Sequence, residues 1–149
     1  MSYEMELAQR IKDLERRLAR NEKLDRGWNY IPLITSLSTS DFYGESFSTT
    51  AKTKIDLSDK FGVPAGIKAI LINYFIMDSA SETNECFVSF SPNNTQYKYA
   101  ACLNIQGFKN DTIYRENAVI PCDANGDIYY QVQASGAGTL DLWIEIWGY

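Results

Sequence analysis

The 149-residue chain contains no histidine at all. That removes the Ser-His-Asp triad, Cys-His dyads, HExxH zinc sites and every imidazole acid–base step. It has no run of ~18 uncharged apolar residues, so no membrane-spanning helix is expected. Its start, MSYEMELAQR, has no apolar core of a secretory signal, and none is expected to have been cleaved. Cysteine is scarce and odd in number: Cys86, Cys102 and Cys122, with no CxxC pair. Each sits in or beside an apolar run and reads as a buried free thiol. No cofactor and no metal site is expected, so the sequence does not point to an enzyme.

Charge is present but unevenly placed. The net charge is −5, yet residues 1–26 hold seven Lys/Arg against six Asp/Glu, leaving seven against thirteen in the rest. An acidic body is a poor ligand for a polyanion, so nucleic acid is not an expected partner. In the front segment basic and acidic residues alternate, which suits pairing between helices.

That segment has a narrow apolar seam. Leu7, Ile11, Leu14 and Leu18 are spaced 4, 3, 4, which places Leu7 and Leu14 at heptad position d and Ile11 and Leu18 at a. Arg10 and Arg17 then occupy g, and Glu15 and Glu22 occupy e. In a parallel coiled coil each g arginine meets the e glutamate five residues later on its neighbour, with opposite sign in both heptads. Ile at a with Leu at d favours two strands. Against that, Arg10-Ile11-x-x-Leu14-Glu15 resembles the Arg-h-x-x-h-Glu pattern of short trimeric coiled coils. Arg17-Leu18-x-x-Asn21-Glu22 repeats the pattern, with Asn21 in the second slot. A homotrimer is the reading preferred over a dimer. Asp25-Arg26-Gly27 reads as the helix stop. The domains are therefore expected at 1–26, a coiled-coil oligomerisation and anchoring helix, and 27–149, a β-rich body.

Beyond Trp28 the pattern is of strands and turns. Pro32 in WNYIPLITSL suggests an edge strand or an extended arm. TTAKTKIDL alternates Thr53, Ile55 and Leu57 as a half-buried strand. Ile67–Met77 is the most apolar stretch and reads as a central strand buried on both faces. QYKYAACLNI reads as one strand with Tyr97 and Tyr99 on one face, and Tyr129 and Tyr130 fall on opposite faces of another. Asn125-Gly126 is a hairpin cue. In the last strand Leu140, Leu142, Ile144 and Ile146 point one way, and Asp141, Trp143, Glu145 and Trp147 the other. Tyr97, Tyr99, Trp143 and Trp147 are the candidate interface or ligand aromatics. The tryptophans would meet a neighbouring subunit, their own body, or a ligand. The expected fold is mainly β with one N-terminal α-helix, an antiparallel jelly-roll-like β-sandwich following a short parallel coiled coil.

Two further constellations carry candidate chemistry. Asp123-Ala124-Asn125-Gly126-Asp127 has the spacing of a calcium loop, but its glycine is misplaced and Ala134 stands where a glutamate belongs, so a plain turn is expected. Asp41, Glu45, Glu82 and Glu85 are loop carboxylates whose spacing does not require a glycosidase pair.

VPAGIKAILIN (63–73), CFVSFSP (86–92), IPCDANGDIYYQV (120–132) and the closing DLWIEIWGY (141–149) follow one another in an order that resembles small β-sandwich modules found at the ends of phage virion proteins and on bacterial surface proteins. The likeness covers residues 60–149. Together with the leading helix it implies a bacteriophage structural protein: a short fibre, spike or capsid-decoration protein in the virion. Implied partners are copies of itself, other virion proteins and a host surface glycan. The alternative is a cell-surface, lectin-like carbohydrate-binding module.

Overall fold

The computed structural model describes residues 9–16, 30–47 and 51–149. The chain divides into two units, Met1–Ile31 and Pro32–Tyr149. In the first, residues 9–16 are helical. Leu7, Arg17, Leu18, Asn21, Glu22 and the expected stop at Asp25–Gly27 lie outside the described residues.

The second unit is β-rich. Its strands are β1 (Pro32–Leu37), β2 (Tyr43–Ser46), β3 (Thr53–Ile55), β4 (Ala69–Asp78), β5 (Phe87–Ser91), β6 (Ala101–Asn104), β7 (Tyr114–Pro121), β8 (Ile128–Gln133) and β9 (Leu140–Gly148). All pair antiparallel, in two sheets. The larger has the order β1-β9-β4-β7, with β2 also paired to β9; the smaller has β3-β8-β5-β6. β1 pairs with the far end of β9 (Pro32 with Gly148) and β2 with its near half (Ser46 with Asp141). Residues 32–46 thus form one edge interrupted by the turn Ser40–Phe42. Pro32 opens that edge, where a missing N–H removes no interior hydrogen bond.

The core lies between the sheets. Alternate residues of β4 (Ile70, Ile72, Tyr74, Ile76) and β9 (Leu140, Leu142, Ile144, Ile146) are at most 1% exposed. They face Val88 and Phe90 of β5 and Ile128, Tyr130 and Val132 of β8. The Tyr74 and Phe90 rings meet edge to face at 4.9 Å. Phe42 stacks with Phe47 and Phe61 and meets Tyr130 edge-on at 5.5 Å, an aromatic plug at the turn between β1 and β2. Each fully buried side chain of this size contributes about 1.5–3 kcal/mol.

Several sequence expectations need correction. Leu57 does not extend β3; it begins a one-turn helix, Leu57–Phe61. Asp56 caps it by accepting from the Asp59 N–H at 3.0 Å, and Gly62 ends it at φ +69°. β4 is buried on one face only, because Leu71, Asn73, Phe75 and Met77 look out from the larger sheet and stay half-buried. Tyr97 and Tyr99 are not on a strand; β6 begins at Ala101. Asn125-Gly126 does not close a hairpin, since β7 and β8 belong to different sheets. Its tightness has another cause. Gly66 N–H donates to the Asn125 carbonyl at 2.9 Å, and a Cβ on Gly126 (φ +93°) would lie 2.6 Å from that same nitrogen. Of the three free cysteines Cys86 is buried and Cys122 half-buried, but Cys102 is exposed, because it falls on the outward column of the short edge strand β6.

Asp78, fully buried at the end of β4, ties three segments together. It accepts from Ala80 N–H at 2.8 Å, from Ser135 N–H at 3.1 Å and from the Thr139 hydroxyl at 3.0 Å. Burial opposes its charge, but these donors outweigh burial and hold the carboxyl below its usual range.

Candidate interaction face

The outer face of the larger sheet is built in rows, because strand register sets side chains opposite one another. One row runs across four strands. Tyr43 lies opposite Trp143, Trp143 opposite Phe75, and Phe75 opposite Arg115. The row is one continuous stack: Tyr43 meets Trp143 edge-on at 6.0 Å, Trp143 lies flat on Phe75 at 4.6 Å, and the Arg115 guanidinium sits 4.6 Å over the Phe75 ring. Trp143 is therefore half-covered by its own body.

The next row, about 7 Å along the strands, is polar: Glu145, Asn73 and Asn117. The Asn73 amide donates to the Asn117 side-chain oxygen at 2.8 Å. The third row is apolar, with Leu71 opposite the exposed Val119. Here the β4–β9 register slips: Ile72 pairs with Ile146 and Leu71 with Gly148, leaving Trp147 as an extra residue in a bulge. Bulges re-aim side chains and concentrate beside functional sites. The Trp147 indole N–H donates to Glu145 Oε2 at 3.2 Å, which fixes both groups. Leu71, Asn73, Arg115, Asn117, Glu145 and Trp147 together line an open depression of about 480 Å³. Neither Arg115 nor Glu145 has an ion-pair partner among the described residues.

The other candidates sit apart from this face. Tyr97 is 79% exposed in the β5–β6 loop and adopts φ +56°, a left-handed conformation rare for an aromatic residue. Tyr99 is half-buried against Phe87. Lys52 holds the loop: its ammonium donates to the Ser91 hydroxyl at 2.7 Å and to the carbonyls of Asn93 and Lys98, and lies 4.9 Å from the Tyr99 ring centre. Desolvation lowers its pKa.

The calcium-like spacing resolves into a turn and a brace. Asp123 accepts from its own loop, at Asn125 N–H (2.8 Å) and Asp127 N–H (3.0 Å). The buried Asp127 accepts from Leu57 N–H at 3.1 Å and pairs with Lys54 at 2.6 Å, which raises the lysine's pKa. No group of three or more potential metal ligands occurs among the described residues. Asp41 pairs with Lys60 at 2.6 Å, and Glu82 and Glu85 are exposed. On the helix, Arg10, Ile11, Leu14 and Glu15 are all exposed, Ile11 by 48% and Leu14 by 61%. No described helix is long and apolar enough to cross a membrane.

No protein-family model matches this chain, and no curated protein is significantly similar to it. Trp143 and Trp147 were legible as outward-facing residues. Tyr43, Leu71, Asn73, Phe75, Arg115 and Asn117 were not. The alternation in LINYFIM already turned Leu71, Asn73 and Phe75 to one side, but only the strand order sets them beside β7 and β9.

Proposed function

We propose that this chain is a homotrimeric structural protein of the virion kind: a short fibre, spike or capsid-decoration protein that works by assembly and binding rather than turnover. The exposed seam carries this reading. Ile11 and Leu14, flanked by Arg10 and Glu15, leave two large apolar side chains open on one stripe of a short helix. A helix with so narrow a seam gains its stability from copies of itself, each Arg10 meeting the Glu15 of the next chain. Three strands are preferred because of the Arg-h-x-x-h-Glu pattern.

The β unit would then be the displayed head, and we read it as a jelly roll. Support comes from its strand orders: β1-β9-β4-β7 faces β3-β8-β5-β6, and successive strands change sheet at every step from β3 to β9 except β5 to β6. Two interleaved Greek keys produce that alternation, in an architecture used by viral capsid and lectin domains alike. Fold alone does not fix function. The resemblance of residues 60–149 to virion and surface modules is what favours a virion setting over a cellular one.

Light scattering on the full chain tests the assembly. The expected mass is three chains, falling to one for the double variant Ile11→Asn, Leu14→Asn. A wild-type monomer at micromolar concentration, or a double variant of unchanged mass, would refute the reading.

A further inference from the structure

We propose that the depression on the outer face of the larger sheet binds a sugar residue of a glycan. The proposal rests on reading the β unit as a displayed adhesive head, and it names what that head would grip. Sugars are amphiphilic: their ring C–H faces pack on aromatic and apolar surface, while their edges carry hydroxyls that both donate and accept. A matching site needs apolar walls around a strip of mixed donors and acceptors.

The rows of this face supply that order. By register the row of Trp147, Leu71 and Val119 flanks the polar row on one side, the Trp143–Phe75 row flanks it on the other, and of these Trp147 and Leu71 line the depression itself. Between them run the Asn73 and Asn117 amides and the Glu145 carboxylate, with the Arg115 guanidinium at the margin. The polar groups are held in place before any ligand arrives. Asn73 is bonded to Asn117, Glu145 to the Trp147 indole, and Arg115 is laid over Phe75. Each keeps hydrogen-bonding capacity beyond those contacts. Held groups lose little freedom on binding. The volume, about 480 Å³, falls within the ordinary range of small-ligand sites, roughly 300–1,000 Å³.

Other ligand classes fit less well. A lipid surface wants unbroken apolar area, and the Glu145–Asn73–Asn117 row interrupts it. An added peptide strand would use a sheet edge rather than a face. A polyanion would meet one arginine beside a glutamate on an acidic body.

The test is a printed array of bacterial and animal glycans probed with the full chain, followed by fluorescence titration with the best oligosaccharide, read through the tryptophans. Asn117→Ala and Arg115→Ala, both at exposed positions, should each weaken binding about tenfold, the loss of one good polar contact. Tyr97→Ala should leave it unchanged. An array without binding overturns the proposal. So does binding that ignores both substitutions or fails in Tyr97→Ala. If Asn117→Ala or Arg115→Ala instead lowers the mass by light scattering, the face is a contact between copies and the proposal falls. A wild-type monomer that binds glycan through these residues would refute the trimer and leave the sugar site standing.

Discussion

Replacing Asp78 by alanine would expose how much of the β unit hangs on one buried carboxylate. The substitution removes the acceptor of two backbone N–H groups and one hydroxyl, those of Ala80, Ser135 and Thr139, in a site closed to water. Each donor left unpaired costs about 1–3 kcal/mol. Thr139 also exchanges hydrogen bonds with Ser135 and Gly136, so its hydroxyl is the least stranded of the three. Two backbone donors at the middle of that range give a loss of about 4 kcal/mol. The gentler Asp78→Asn keeps one acceptor oxygen and should lose about 2 kcal/mol. Urea unfolding followed by tryptophan fluorescence reads both values.

The effect must also depend on pH. The folded carboxyl is held below its normal range, whereas an unfolded aspartate titrates near ~3.9. The stabilisation is therefore complete above about pH 5 and disappears as pH falls through the folded pKa. The gap between wild type and Asp78→Asn should narrow steadily below about pH 4. A gap that stays constant from pH 7 to the acid transition, or an Asp78→Ala protein as stable as wild type, would refute the account of Asp78 as an ionised hub.

Gly126→Ala should destabilise by about 2–3 kcal/mol, since it adds positive-φ strain to a 2.6 Å contact with the Gly66 backbone; thermal unfolding measures it. Tyr74→Phe should cost about 1 kcal/mol in urea unfolding, because the Tyr74 hydroxyl donates to Glu116 Oε2 at 2.8 Å and burial leaves it few other partners. In native protein a disulfide reagent should label the exposed Cys102 first and Cys86 last, because Cys86 is fully buried and closed to the reagent whereas Cys122 is only half-buried; mass spectrometry of timed samples shows the order.

Much of the β architecture could be read from the chain, and the failures share a cause. The alternation of β9 was plain because Leu140–Ile146 place apolar residues on every second position, and all four are buried. β4 misled because Leu71, Phe75 and Met77 are as apolar as their inward neighbours. Composition alone does not distinguish a strand covered on both faces from one whose outer face is an aromatic platform. Tyr97 and Tyr99 failed for a local reason. The backbone at Tyr97 turns left-handed, and the Lys52 ammonium that holds the loop comes from a segment some forty residues earlier. Asn125-Gly126 was correctly a turn, but a dipeptide does not say whether the next strand rejoins the same sheet. The short helix at Leu57 was recoverable in principle, from Asp56 three residues before Asp59 and Gly62 just after the last turn. The interaction face itself was least legible. Its rows join Tyr43, Asn73, Arg115 and Glu145, and only pairing between distant strands makes them neighbours.

The placement of β9 between β1 and β4 has a consequence for how the protein is made. The larger sheet lacks an inner strand until residues 140–148 have left the ribosome, so until then β1 and β2 have no partner strand and β4 is paired on its β7 side alone. A nascent chain stalled before Leu140 would present those bare sheet edges to chaperones and proteases.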